Sequence, residues 1–123
     1  MKTLSITTQT MQHFETIHTE TVDGFDITYS VTYEDTHPRD CFDDSEFDIQ
    51  EMCEKIDRGY YFWFVAKVTA SKNEIELASD YLGCNLYENV MDFVKDNDYY
   101  RDMVETVLKE AKSAIHSLTL ETV

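Results

Sequence analysis

Glycine and proline are scarce in this chain, with Gly24, Gly59, Gly83 and Pro38 as the full set. That scarcity excludes collagen-like or low-complexity character, a flexible linker, and a Gly-rich loop able to cradle phosphate. Each of the four falls where the hydrophobic pattern changes. They punctuate one domain covering 1–123, with 1–9 read as a loose end or an edge extension. Basic residues are also few, ten Lys and Arg against 25 Asp and Glu. The resulting net charge of −15 argues against direct nucleic-acid binding, which needs phosphate-neutralising cations. It equally opposes docking on an anionic membrane surface. Long hydrophobic runs are missing, and Lys2 is followed by no apolar leader core, so the expected location is the cytoplasm. Cys41, Cys53 and Cys84 form an odd, widely spaced set without a Cys-x-x-Cys pair. In a reducing compartment they read as free thiols, two of them packed as small hydrophobes.

Catalytic and metal signatures are missing too. Asp40, Asp43, Asp44, Glu46 and Asp48 crowd one segment but lack EF-hand spacing and its mid-loop glycine. His13, His18, His37 and His116 show no zinc spacing, so neither metal nor cofactor is expected. Cys41 lies near His37, yet the surrounding aspartates disfavour a thiolate nucleophile there. The chain reads as a non-enzyme.

What remains is a globular composition: 42% apolar and 13% aromatic residues, enough to bury roughly two-thirds of the unfolded surface. Phe25, Ile27, Tyr29, Val31 and Tyr33 alternate with polar residues, the period of a half-buried strand. Asp23-Gly24 before it predicts a two-residue hairpin turn, setting Val22 against Phe25 and His18 against Tyr29. The preceding strand is expected from about Met11. After a loop at Thr36–Asp44, Ser45-Glu46-Phe47-Asp48 resembles a capping box. It opens an amphipathic helix through Phe47, Ile49, Met52, Cys53 and Ile56, with Gly59 as its stop.

Tyr60–Thr69 reads as a central strand, its aromatic run Tyr60 to Phe64 as core rather than a base-stacking platform. A second strand, Glu74 to Leu82, is expected to end at Gly83, with Ile75, Leu77, Ser79 and Tyr81 on one face and Glu74, Glu76 and Asp80 on the other. A brief helix over Tyr87–Val94 follows, with Asp96-Asn97-Asp98 between it and the next. Tyr100, Met103, Val104, Val107, Leu108, Ala111, Ile115 and Leu118 then mark one face of a long helix, Tyr99 to about Ser117. The order ββαββαα predicts an α+β fold: an antiparallel four-stranded sheet of two hairpins with helices on one face.

The charge is uneven. Residues 40–58 hold eight acids and two bases. A compact chain of this length is roughly 35 Å across, and a DNA duplex of that length carries about 20 phosphate charges. Acids two apart on a strand stand about 6.7 Å apart, and helix pairs at i, i+4 about 5–6 Å. Both are near the phosphate repeat. A solvated acidic face that keeps the protein soluble is the competing reading.

Small, single-domain, strongly acidic chains with few glycines and no catalytic motif resemble the anti-defence proteins of phages and mobile elements, including anti-CRISPR inhibitors and DNA mimics. Gly59-Tyr60-Tyr61-Phe62-Trp63-Phe64-Val65, Asp80-Tyr81-Leu82-Gly83-Cys84, Asp92-Phe93-Val94 and Tyr99-Tyr100-Arg101-Asp102-Met103-Val104 are similar to segments of small phage-borne proteins, over about half the chain. The resemblance implies a stoichiometric inhibitor, acting in the host cytoplasm, that occupies a nucleic-acid-binding channel of a CRISPR effector. The expected partner is thus a basic nucleic-acid-binding protein or ribonucleoprotein. Asp40, Asp43, Asp44, Glu46, Asp48 and Glu51 are the expected contact residues, with Glu74, Glu76 and Asp80 as a second patch. The alternative is an immunity protein or antitoxin that neutralises a basic nuclease toxin. Self-repulsion favours a monomer over a homodimer joined at a sheet edge.

Overall fold

The computed structural model describes residues 13–95 and 98–121. Strand β1 (Glu15–Val22) and strand β2 (Phe25–Tyr33) form the first hairpin, followed by a 3-10 turn (Pro38–Asp40) and helix α1 (Ile49–Asp57). Strands β3 (Phe62–Lys72) and β4 (Ile75–Tyr87) form the second hairpin, and helices α2 (Asp92–Lys95) and α3 (Asp98–Glu121) close the chain. The sheet order is β1-β2-β3-β4 with every neighbour antiparallel. This is the expected α+β arrangement. The stretches 1–9 and 96–97, and the start of a strand at Met11, lie outside the described residues.

The first turn forms for the expected reason. Asp23 and Gly24 both take positive φ, 54° and 83°, the requirement of a type I′ turn. Val22 consequently pairs with Phe25 and His18 with Tyr29. The second turn uses the same device at Asn73 and Glu74, with φ of 54° and 67°. Glu74 is therefore a turn residue and not the first residue of a strand.

One face of the sheet carries Phe25, Ile27 and Tyr29 from β2 and Phe64, Ala66, Val68 and Ala70 from β3, all buried. The apolar stripe Tyr100, Met103, Val104, Val107, Leu108 and Ala111 of α3 covers them, with Phe93 of α2 wedged between. Tyr29 and Phe93 stack with centroids 5.4 Å apart, and the Tyr29 hydroxyl donates to Val90 O at 2.8 Å. Ile115 extends the stripe, whereas Leu118 is exposed past the end of the packed region.

The opposite face is polar. Thr19, Thr28, Thr69 and Ser79 align across all four strands, and Lys67 stands over the rings of Phe14 and Tyr81.

Strand β4 departs from its expected form twice. It does not stop at Gly83 but runs on to Tyr87, absorbing Gly83 and Cys84 in a bulge between the pairs Ala66–Leu82 and Phe64–Asn85. A second shift falls opposite Ala70 and Ser71. One extra residue inverts the alternation. Leu77 therefore packs against the core instead of sharing a face with Ser79 and Tyr81.

The last two expected elements also shift. The brief helix is confined to Asp92–Lys95, because Tyr87 is still in the strand. Helix α3 runs to Glu121, beyond the expected Ser117.

Candidate functional site

The loop joining β2 to α1 is short of secondary structure and is held by side chains. Trp63, buried at the start of β3, donates its Nε1–H to Thr36 O at 2.8 Å. Its ring lies 5.9 Å from that of Phe42, which lies 5.1 Å from Phe47. Of the aromatic run, Trp63 and Phe64 are core as expected, while Tyr60 and Phe62 are exposed.

A covalent tie adds to this. Cys41 and Cys84 form a disulfide with their Cα atoms 6.1 Å apart. This corrects the reading of three free thiols, because the bulge turns Cys84 toward a loop that its sequence distance of 43 conceals. Cys53 alone is free, and its Sγ lies 3.8 Å from Nε2 of His37. His37 thus faces a cysteine other than the one nearest in sequence. Its Nδ1 caps the 3-10 turn by accepting the Arg39 N–H.

Glu34 locks the arrangement. Its Oε1 accepts the Cys84 N–H at 2.7 Å and its Oε2 the Thr36 N–H at 3.1 Å. Burial pushes this carboxyl up, but those N–H bonds outweigh it and hold it below the usual carboxylate range. Cys84 keeps a φ of 61°, uncommon for a residue with a side chain, and the carboxylate fixes it there.

On this anchored loop sit the expected acids, all exposed: Asp40, Asp43, Asp44, Glu46, Asp48 and Glu51. Two of them do structural work. Asp43 accepts the Ser45 N–H at 2.9 Å, which holds its carboxyl below the ordinary range. Asp48, and not Ser45, is the N-cap of α1, accepting the Glu51 N–H at 3.0 Å. The box fails because Ser45 is already committed to Asp43. The other end of α1 is as expected: Gly59 at φ 82° closes it, with Gly59 N–H on Ile56 O and Tyr60 N–H on Lys55 O.

The second acidic trio does not form one patch. Glu74 sits in the far turn, about 33 Å along the strand from Cys84 at the usual strand rise. Glu76 lies on the polar face, accepting from Ser79 Oγ at 2.7 Å with Lys67 Nζ at 4.0 Å. Asp80 stands beside Val68 on the helix-covered face. The register shift near Ala70 separates the last two.

Sequence reasoning also missed a groove of about 550 Å³ between α1, the end of β4 and the start of α3. Phe42, Phe47, Met52, Tyr61, Tyr87 and Tyr99 line it, with Asp48, Glu51 and Lys55 among them. The signal available was Gly83, because a glycine within a strand pattern marks a bulge or a close backbone approach. Among the described residues, no group of three or more His, Cys, Asp or Glu is placed to hold a metal. No described helix is long and apolar enough to cross a membrane. Comparison with known protein families, characterised proteins and solved structures finds no match.

Proposed function

We propose that this protein is a non-enzymatic anti-defence inhibitor, an anti-CRISPR protein whose acidic loop blocks a Lys/Arg-lined nucleic-acid site of a CRISPR effector. The observation that carries the reading is the anchored loop itself. Six exposed carboxylates between Asp40 and Glu51 are presented on a segment pinned by Trp63, Glu34 and the Cys41–Cys84 bond. A pre-ordered acidic surface binds a basic channel without first ordering a loose segment, and steers its own association. Glu74, Glu76 and Asp80 have no part in this surface. The host cytoplasm is the proposed site of action. In that compartment thiol pools keep such pairs reduced, and the Trp63 and Glu34 hydrogen bonds are what hold the loop.

The test uses carboxylates that carry no structural bond: Asp40→Lys, Asp44→Lys and Glu46→Lys together, measured as DNA binding by the effector in the presence of inhibitor. Asp43 and Asp48 are spared because reversing them also removes a turn bond and a helix cap. Inhibition is expected to be lost with the fold intact by circular dichroism. Full inhibition by the triple variant sinks the proposal.

A further inference from the structure

The groove beside the acidic loop is more than a by-product of packing, and its chemistry selects what enters it. It is open, and its walls combine aromatic rings with the carboxylates of Asp48 and Glu51. An anion is repelled by those carboxylates, and a purely apolar ligand would strip them of water with nothing in return. A cation satisfies both kinds of wall, since ring faces and carboxylates each attract positive charge.

The protein itself supplies an example. Lys55 Nζ lies 3.6 Å from Glu51 Oε2 and 5.6 Å from the centre of the Tyr61 ring. The chain's own ammonium therefore occupies an aromatic–carboxylate seat in the groove wall. Tyr99, across the groove at the start of α3, is 59% exposed, and Phe47 is 44% exposed. Both rings present part of their surface to water at the groove.

We infer that this groove is the docking site for an arginine-bearing segment of the protein partner, whose guanidinium takes the seat that Lys55 fills in the free protein. The inference rests on the proposed basic partner and names the contact within it. Arginine fits better than lysine for physical reasons. Its guanidinium is planar and weakly hydrated, stacks on ring faces, and bonds a carboxylate through two parallel N–H groups. Lysine presents a compact, strongly hydrated charge, as Lys55 already does. A volume of about 550 Å³ accommodates several side chains of a peptide segment. The floor is preformed, because Cys84 lies in it and is fixed by the disulfide and by Glu34. Lys55 is thus a plug that the incoming arginine displaces.

The experiment measures fluorescence anisotropy of two labelled probes, an alternating Arg-Gly octapeptide and its Lys-Gly counterpart, at 0.15 and 0.5 M salt. The arginine probe is expected to bind at least five-fold tighter than the lysine probe, with the preference retained at high salt. Tyr61→Leu removes a ring and no charge, and is expected to cost the arginine probe about five- to ten-fold and to abolish the preference. Lys55→Met keeps the apolar stem and vacates the seat, and is expected to tighten arginine binding about three-fold or more. Lys109→Met, the same charge change on α3, leaves it within two-fold. Equal affinity for the two probes, or an unchanged Tyr61→Leu variant, overturns the groove. If Tyr61→Leu fails to fold by circular dichroism, the Lys55→Met comparison decides alone, and no tightening overturns the inference. The reading of the acidic loop is judged separately by the Asp40, Asp44 and Glu46 reversal. A groove that fails while that reversal still abolishes inhibition leaves the loop reading standing.

Discussion

The carboxylate of Glu34 accepts the backbone N–H of Cys84 at 2.7 Å, across 50 positions of sequence. It joins the end of one hairpin to the bulge of the other, and through the disulfide it also sets the position of the acidic loop.

This bond makes stability depend on acid pH in a defined direction. The Glu34 carboxyl is held below its ordinary value in the folded state, so the unfolded chain takes up the proton first. The contribution is complete above about pH 5 and is lost as pH falls through the folded-state value. Glu34→Gln is expected to remove it, lowering stability at pH 7 by about 1.5–3 kcal/mol and making the fall in melting temperature below about pH 5 less steep than the parent's. A variant whose acid profile matches the parent would show that Glu34 is not the group responsible.

Gly83 is constrained by the same carboxylate. A Cβ placed there would lie 2.8 Å from Glu34 Oε1, inside any real contact distance. Gly83→Ala is expected to destabilise by about 1–3 kcal/mol, read from denaturant midpoints. In a Glu34→Ala background the cost should fall, because the carboxylate oxygen that the new methyl would meet is gone. Strict additivity of the two substitutions would contradict the contact.

The disulfide spans a sequence separation of 43, a loop for which the chain-entropy account gives about 4 kcal/mol. Reduction is expected to lower the melting temperature on the order of 10 °C, and Cys41→Ser with Cys84→Ser to reproduce the loss without reductant. Thiol titration under denaturing, non-reducing conditions should find Cys53 alone. Three titratable thiols in protein purified from an oxidising compartment would mean that the bond does not form.

The hairpin register and the α3 stripe were legible because each depends on neighbours in sequence. Asp23-Gly24 sets the pairing of Val22 with Phe25 wherever the strands later pack. Tyr100 to Ala111 repeats at the helical period whatever covers it. The site was legible only in part. The acids of 40–51 stand out by density alone, but which of them are structural depends on bonds to Ser45 and Glu51 N–H groups. Two irregularities in β4 decided the rest, one sending Glu76 and Asp80 to opposite faces, the other bringing Cys84 to Cys41. A bulge is one residue of extra chain, and a period-two pattern carries no mark of it except a glycine such as Gly83.

The Cys41–Cys84 bond also changes the connectivity of the molecule. Residues 41 to 84 become a covalent ring that contains α1, β3 and most of β4. The first hairpin enters the ring at one sulfur and the C-terminal helices leave it at the other. A protease that cuts anywhere inside this ring does not release a fragment. The nicked protein keeps its full mass until a reductant opens the bond, so proteolysis of the exposed acidic loop alone would not take the molecule apart.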